Sequence, residues 1–507
     1  AHGFYSYVLE QPLAPGERLT LQFELGYAPR GILGFASDTP VVGNGTFFNN
    51  DILPRIGYQD HLELQDDRDR KRHGLAARAR MPAADDPRGL ANSYIANDAD
   101  WINFDAIVST SPDQIAIAPG TLQKEWMANG RRHFHYRMDK PIAHFYAIQS
   151  ARYEVRHDRW QDVTLDVYYH PGHEFNLERI INGLKTGLAY NSRHFSPYQH
   201  RELRVVEFPR YGDFAQSYPN TIPYSEGIGF IAKVDDKNPK DIDYPFYVSA
   251  HEVAHQWWGH QIIGGDTRGA TVLSETLAEY AALMAMKETF GAERMRRFLR
   301  YDLDHYLIGR ALEKKRELAL AENENQDYIH YRKGSLAMYR LQDVFGEAKV
   351  NGALHQLLRE HGFQSAPYPS VTTLTAALRA VAPAQDAHLI DDLFYAIMLF
   401  ENRADTASAK KLADGRYEVT LRAHAAKFRA GELGDEQAVP LGDAITFGVD
   451  DRDGKPLLRE RRRVTGGELT VKMVVSGRPA KAGIDPDNLL IDRKPDDNLV
   501  EVELGGP

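Results

Sequence analysis

Apolar and polar residues alternate with a period of two over much of the first 170 residues. The pattern is clear at residues 5–9 and 20–25, on either side of a turn at 12–16, and again at 132–136 and 163–169. Because successive side chains of a strand point to opposite faces, this period predicts strands with one buried face. We therefore expect an N-terminal β domain over residues 1–170.

The apolar pattern changes to the helical period after a Pro171-Gly172 pair. Residues 175–195 form an amphipathic helical pattern, and helical runs continue to residue 400. They cover 294–310, 333–345, 350–361, 371–381 and 388–400, with strands predicted at 203–208 and 228–232. We therefore expect a helix-rich second domain over residues 171–402.

The period returns to two after a short run of small and polar residues at 401–408, which predicts a linker. Alternating segments follow at 417–421, 444–447 and 469–475. Several short strands separated by turn residues are typical of a β-sandwich, here over residues 403–507. The whole pattern predicts a multidomain α+β fold.

Composition narrows the classes of partner and of metal site. The 507 residues carry a net charge of −10 with both signs interspersed, which favours neither nucleic acid nor an anionic membrane as partner. The chain has no cysteine, so disulfides and cysteine metal sites are excluded and any metal must be held by histidines and carboxylates. We find no signal peptide and no apolar run long enough to span a membrane.

The segment His251-Glu252-Val253-Ala254-His255 has the spacing of a metal site. Histidines four residues apart share one face of a helix, and Glu252, about 100° around the axis, stands beside the metal. With 20 histidines in the chain the bare pattern could arise by chance. However, the surrounding helix is apolar, and it would bury these polar groups at a cost unless a metal satisfied them.

A third ligand is predicted in the next helical run, at 271–280, which offers Glu275. Glycines at 264, 265 and 269 allow the chain to turn back toward the first two ligands. Two histidines and one glutamate leave the fourth position open for water, as in catalytic zinc sites. The sequence therefore predicts one zinc ion held by His251, His255 and Glu275.

The longer run His-Glu-Val-Ala-His-Gln-Trp-Trp-Gly at 251–259, followed by Leu-Ser-Glu at 273–275, closely resembles the zinc aminopeptidases of the membrane alanyl aminopeptidase (aminopeptidase N) type, which are gluzincin metallopeptidases. The resemblance implies a thermolysin-like zincin catalytic domain. It also implies that Glu252 acts as general base on a metal-activated water, that Tyr331 stabilises the tetrahedral intermediate, and that Glu226 holds the free α-amine of the peptide.

Some positions depart from that family. The segment between His255 and Glu275 is one residue longer than usual, and Ser225 and Gly227 flank Glu226 where the family has Met and Asn. We interpret Glu279, one turn after Glu275, either as a carboxylate that orients a ligand histidine or as a surface residue. His170 and His173 flank the Pro-Gly turn and are interpreted as turn residues only.

Residues 44–50 and 53–58 resemble the peptidase region that is joined to some bacterial membrane transporter permeases. The chain also opens without an initiator methionine, within a predicted strand. We therefore expect a soluble domain that belongs to a longer protein and is tethered to a membrane through an attached permease; the side of the membrane is open.

Three functions compete at this point. The first is a zinc aminopeptidase acting on peptides with a free N-terminus, and its discriminating residue is Glu226. The second is a zinc endopeptidase or another hydrolase on the same scaffold. The third is a peptide-binding module attached to a membrane transporter, against which Glu252 and Tyr331 argue because binding alone needs neither.

Overall fold

The computed structural model describes residues 5–27, 41–59, 62–96, 99–238 and 241–505. A β-rich region is followed along the chain by a helix-rich region and then by a second β-rich region. This arrangement confirms the predicted multidomain α+β fold class.

The N-terminal region contains small antiparallel sheets. Strands β1, β8 and β4 form one sheet in that order, β3, β6 and β5 form another, and β2 pairs with β7. The strands are β1 (Thr46–Asn49), β2 (Trp101–Ile102), β3 (Asp105–Thr110), β4 (Ile115–Ile117), β5 (Thr121–Ala128), β6 (Arg131–Arg137), β7 (Ile142–Ala143) and β8 (Ala147–Ala151); two short helices, α1 (Asp67–Arg72) and α2 (Pro87–Leu90), lie between β1 and β2.

The strands predicted at residues 5–9 and 20–25 are wrong. Both segments lack regular structure, and their large apolar side chains, such as Tyr7 and Phe23, are exposed. A strand persists only when its backbone groups pair with a neighbouring strand, and no described strand pairs with either segment. The predicted strand at the opening of the chain lies, over residues 1–4, outside the described residues.

A mixed sheet forms the floor of the central region. It consists of β9 (Glu154–Trp160), β10 (Val163–Tyr169), β11 (Glu202–Phe208) and β12 (Thr221–Ser225), in the order β12-β11-β10-β9. β9 and β10 form a hairpin, whereas β10, β11 and β12 are parallel. The boundary predicted at residue 170 would cut this sheet, so we propose a boundary near residue 153. The strand predicted at 228–232 is wrong, because turns occupy those positions.

Seven helices pack on this sheet and on each other. They are α3 (Leu177–His194), α4 (Tyr244–Ala254), α5 (Leu277–Phe290), α6 (Met295–Leu312), α7 (Gly334–Phe345), α8 (Glu347–His361) and α9 (Val371–Val381). π-helical turns at Val272–Thr276 and Tyr328–Lys333 lead into α5 and α7. α3 lies close under α4, since a Cβ added at Gly183 would stand 2.6 Å from the backbone oxygen of Phe246.

The C-terminal region is β-rich, as predicted. Its strands run in the order β15-β14-β13-β20-β19-β16-β17, and β18 pairs with β14. They are β13 (Ile397–Lys411), β14 (Tyr417–Ala430), β15 (Glu436–Val439), β16 (Ala444–Asp450), β17 (Pro456–Arg463), β18 (Glu468–Val475), β19 (Lys481–Ile484) and β20 (Leu499–Leu504). Buried residues such as Val419, Leu421 and Phe447 form a core of their own.

The prediction of a polar linker at residues 401–408 is wrong. The prediction of a helix at 388–400 is also wrong at its C-terminal end. A π-helical turn at Asp391–Tyr395 is followed directly by β13, which crosses residue 402. Pairing with β14 along nearly its whole length satisfies the backbone of β13. The two regions therefore join through a strand, and the boundary that we propose moves to residue 396.

None of the helices in the described part of the chain has the length and apolar character needed to cross a bilayer.

Candidate metal centre

Helix α4 carries His251 and Glu252 inside the protein, and His255 follows directly as the residue that caps its C-terminus. Asp243 caps the helix by accepting a hydrogen bond from the backbone N–H of Phe246. Every residue from Pro245 to Ala254 is buried, as expected for a helix that is apolar on all sides. The motif side chains are buried too, and Glu252 exposes 5% of its surface.

The three predicted ligand residues converge on one point. The Nε2 atoms of His251 and His255 lie 3.0 Å apart. Glu275 Oε2 lies 3.1 Å from Nε2 of His255 and 3.5 Å from Nε2 of His251. Ligand atoms around a tetrahedral zinc ion are separated by about 3.3 Å. The spacing is therefore that of three atoms that share one metal ion.

A π-helical turn brings Glu275 to the histidines. The turn, Val272–Thr276, precedes α5, and its wider backbone is a feature found often at functional sites. The chain enters it through Gly269, whose φ of +72° suits glycine. A Cβ at Gly269 would also lie 2.7 Å from the backbone oxygen of Ala321. The glycine-rich connection was predicted to let the chain turn back, and Gly269 does so.

A hydrogen bond orients the ring of His255, and a buried carboxylate faces the ring of His251. His255 Nδ1 lies 2.9 Å from the carbonyl oxygen of Trp258, so Nδ1–H donates there and Nε2 keeps its lone pair toward His251 and Glu275. His251 Nδ1 lies 3.7 Å from Glu279 Oε1. Glu279 is itself buried and accepts a hydrogen bond from the Tyr247 hydroxyl. The interpretation of Glu279 as a surface residue is therefore wrong.

The chemistry of the site fits a metal ion. Glu252 Oε2, Glu275 Oε2 and His251 Nδ1 are buried without a hydrogen-bond partner among the described residues. Buried polar atoms are normally paired, and exceptions of this kind point to an ion or water. Two imidazole nitrogens and one carboxylate oxygen are ligands that zinc accepts.

Comparison with known proteins agrees with this geometry. Residues 181–387 match the Peptidase family M1 domain, a segment that contains all three converging residues. The match covers about two fifths of the chain, and this part is similar to the M1 peptidase domain. The similarity agrees with the predicted metallopeptidase.

Two relatives of the M1 domain illustrate the similarity. Human endoplasmic reticulum aminopeptidase 2 is 22% identical over 218 residues, which are 40% of this chain and 22% of that protein. The crystal structure of Legionella pneumophila aminopeptidase A in complex with aspartic acid matches with a TM-score of 0.51 and 14% identity, over 80% of this chain and 45% of that one. The chain thus spans less than half the length of each relative, and the structural match supports the fold.

The buried environment of the site shifts the pKa values of Glu252 and Glu275 in opposite directions. Burial raises the pKa of Glu252. Burial also favours the neutral form of Glu275, but the neighbouring charges of His255 and His251 outweigh it and hold the pKa of Glu275 well below its usual value. A charged Glu275 suits a metal ligand, and a carboxylate with a raised pKa suits proton transfer.

Tyr331 lies beside the candidate metal centre. Its ring centroid is 5.9 Å from that of His251, and it belongs to the second π-helical turn. Thr276 binds this turn to the first one by donating a hydrogen bond to the carbonyl of His330, at 2.7 Å. Burial, followed by the charges of Glu275 and Glu252, raises the pKa of Tyr331, so the phenol stays protonated and can donate a hydrogen bond.

Glu226, the residue predicted to hold the α-amine, contacts two neighbouring residues of the protein. Its Oε1 accepts a hydrogen bond from the backbone N–H of Arg210 at 3.2 Å, and its Oε2 lies 3.9 Å from His173 Nδ1. It belongs to a second group of side chains with His170, His173 and Glu207. The interpretation of His170 and His173 as turn residues only is incomplete, because both also contact the buried carboxylate of Glu207.

A cavity of about 830 Å³ opens beside His255 and Glu275. Sequence analysis missed much of its wall, which comes from the N-terminal region and from the connection before α7. Its charged and hydrogen-bonding residues include Arg55, Arg80, Tyr94, His260, Glu324 and Asn325. Their positions depend on tertiary packing, and no local motif marks them. A space of this size accommodates one end of a peptide.

Proposed function

We propose that this chain is a zinc-dependent aminopeptidase that hydrolyses the N-terminal residue from peptides. The observation that carries the proposal is the convergence of His251, His255 and Glu275 within an M1 domain. Both relatives named above are aminopeptidases by name, which supports the choice of peptide end.

In this proposal His251, His255 and Glu275 hold one zinc ion. The ion supplies a Lewis acid that polarises the scissile carbonyl and makes water acidic enough to ionise near neutral pH. Glu252 takes the proton of the attacking water and passes it to the leaving amine, a role that its raised pKa supports.

Tyr331 donates a hydrogen bond to the oxygen that becomes negative in the tetrahedral intermediate. The phenol is protonated before the reaction, so the donor needs no proton transfer of its own. One such donor is worth about 3 kcal/mol in comparable sites.

Glu226 remains our proposed anchor for the α-amine of the substrate. Its contacts with Arg210 and His173 engage both oxygens, however, and this observation favours a second candidate, a zinc endopeptidase on the same scaffold. An endopeptidase has no need of an amine anchor, because it cleaves bonds inside the peptide.

The attachment to a membrane transporter permease also remains a proposal, and it rests on the resemblance of residues 44–50 and 53–58. In that setting the domain would act on peptides while tethered to a membrane.

The decisive experiment measures zinc content together with hydrolysis of amino-acid anilides and of the same compounds N-acetylated. We expect bound zinc and cleavage of the free compounds only. Glu252→Gln should abolish cleavage and retain zinc, and Glu226→Gln should reduce the preference for a free amine. Glu293→Gln, on an exposed turn, is the matched control.

Cleavage of acetylated substrates or of internal bonds would instead establish the endopeptidase. Bound zinc without turnover of any peptide would refute a hydrolase and favour the peptide-binding module. Absence of zinc from protein purified without chelators would overturn the proposal as a whole.

A further inference from the structure

Four side chains of types that bind metals meet at the carboxyl ends of three parallel strands, and none of them belongs to helix α4. His170 follows β10 directly, Glu207 is the last residue but one of β11, and Glu226 follows β12. The pairing of β10 with β11 and of β11 with β12 is parallel, so all three strands end at the same edge of the sheet. The carboxyl ends of parallel strands are a common place for ligands.

A tight turn adds the fourth side chain, His173. Pro171 and Gly172 occupy the centre of the turn, and Gly172 has a φ of +93°, a value that suits glycine. The backbone N–H of His173 donates to the carbonyl of His170 at 3.1 Å. The turn therefore folds His173 back over the end of β11.

The buried carboxylate of Glu207 connects the group. None of its side chain is exposed, and its Oε2 accepts a hydrogen bond from the backbone N–H of His170 at 2.5 Å. The same oxygen lies 3.4 Å from His170 Nδ1, and Oε1 contacts His173 Nδ1. One possible ligand atom from each of the four residues lies within 4.8 Å of the others.

His170 provides a second, independent observation. It exposes 9% of its surface, yet neither of its ring nitrogens has a hydrogen-bond partner among the described residues. A buried imidazole without partners is costly, and native structures seldom leave one so. Its Nδ1 points toward Glu207, where a bound cation would satisfy it.

We propose that His170, His173, Glu207 and Glu226 bind a second divalent transition-metal ion, of the zinc class. Imidazole nitrogens favour zinc and its neighbours, whereas magnesium and calcium prefer sites made only of oxygen. The two carboxylates supply a charge that balances a divalent ion. Four protein ligands complete a tetrahedral shell and leave no open position, which is the arrangement of a structural zinc site.

Such an ion would tie the ends of β10, β11 and β12 together. The chain continues from Glu226 through turns to α4, which carries His251 and ends next to His255. The second site would therefore fix the start of the segment that leads to α4. The inference shares Glu226 with the proposed function: a Glu226 that binds this ion is not free to hold the α-amine, so a filled second site would favour the endopeptidase. Its test counts zinc and does not depend on hydrolysis.

The test uses the full chain and counts zinc after dialysis. We expect two equivalents in the wild type, and one equivalent in the double variant His251→Ala/His255→Ala, whose melting temperature zinc should still raise. Adding His173→Gln to the double variant should weaken the remaining zinc binding at least tenfold. Glu226→Gln should have a similar effect, and His305→Gln, an exposed histidine of α6, should have none.

A second measurement covers the case in which the double variant does not fold. In an otherwise wild-type chain, His173→Gln should lower the zinc content from two equivalents to one and leave the first site filled. Retention of both equivalents in His173→Gln and Glu226→Gln, or a wild-type content of one equivalent that neither variant changes, would overturn the proposal. The four side chains would then be an ion-pair network around Glu207.

Discussion

At the scale of single residues, Tyr331 is the proposed hydrogen-bond donor, and its loss should affect the reaction and little else. Tyr331→Phe removes one hydroxyl, and the ring beside His251 stays in place. We expect kcat to fall about 100- to 1000-fold, as for the loss of one oxyanion donor, with unchanged zinc content. Steady-state kinetics with metal analysis check this. An unchanged kcat would exclude Tyr331 as the donor.

Glu279 should act through His251, which its carboxylate faces at 3.7 Å. Glu279→Gln keeps the shape and the contact with Tyr247 but removes the charge. We expect zinc affinity to fall about 10- to 100-fold, with much of the activity regained at saturating zinc. Competition with a chelator measures the affinity. If the affinity equals that of Glu293→Gln, the role assigned to Glu279 is wrong.

His200 should make the folded protein sensitive to acid. Burial, followed by the charges of His260, Lys140 and Arg204, lowers its pKa to about 3. The unfolded chain takes up this proton below about pH 6.5, so stability is complete above that pH and falls as the pH drops toward 3.

The change in the free energy of unfolding at His200 is about 1.4 kcal/mol for each pH unit in that window. Urea unfolding at pH 7 and pH 4.5 should therefore differ by about 2–3 kcal/mol less in His200→Gln than in the wild type. His305→Gln is the exposed control. Equal pH dependence in His200→Gln and wild type would contradict this account.

The three converging residues could be found from the sequence because their signal is local. His251 and His255 are one helical turn apart, and Glu275 follows within one connection. The burial of His170 could not be found in this way. It depends on Glu207 and Glu226, which come from other strands and meet His170 only after the sheet forms.

At the scale of elements, the close contact of α3 and α4 positions the motif. Gly183→Ala would place a methyl group 2.6 Å from the backbone oxygen of Phe246, so α4 must move away from α3. We expect a loss of about 1–3 kcal/mol in the free energy of unfolding. Gly352→Ala in α8 meets nothing within 4 Å and should be neutral or stabilising. Equal stability of the two variants would show that the contact is not limiting.

The elements found correctly from the sequence are those with large apolar residues in a regular period, such as α8 and α9. β13 was missed because its buried positions beyond residue 402 are filled by alanines, including Ala404, Ala407 and Ala409. Alanine is a weak signal for a strand, so the alternation looked like a run of small linker residues. Conversely, residues 5–25 alternate strongly and still form no strand, because pairing is a property of the tertiary structure.

At the scale of the whole molecule, Lys427 connects the helical region to the C-terminal sheet. From β14 its ammonium contacts Asp392 at 2.7 Å and Asp443 at 3.0 Å, and the lysine exposes 5% of its surface. Lys427→Met leaves these acidic groups without their cation. We expect a loss of about 3 kcal/mol or more in the free energy of unfolding.

The control for Lys427 is Lys472→Met, which removes an exposed lysine of β18 that pairs with Glu418 at 3.4 Å. An exposed pair is worth less than about 1 kcal/mol, so this variant should remain close to the wild type. Chemical denaturation of both variants decides the matter. Similar losses would mean that the buried ion pair does not hold the two regions together.

The order of the three regions could be predicted from the change of period along the chain, but their borders could not. β9 and β10 have the same period as the strands before them, although they belong to the central sheet, in which β10 pairs with β11. Which sheet a strand joins depends on contacts distant in the sequence.

The continuous strand β13 also decides where this protein can be divided. A protease that needs an extended, unpaired stretch of chain will not find one at residues 401–408, since these are already bonded to β14. A chain shortened at residue 402 would keep Ile397–Phe400 but lose the strand that pairs with them. Their apolar side chains and unpaired backbone would then be exposed and would favour aggregation. A chain cut to separate the peptidase region from the C-terminal region has to be divided before Ile397. At any later position within β13 the cut would break a strand that belongs to the C-terminal sheet.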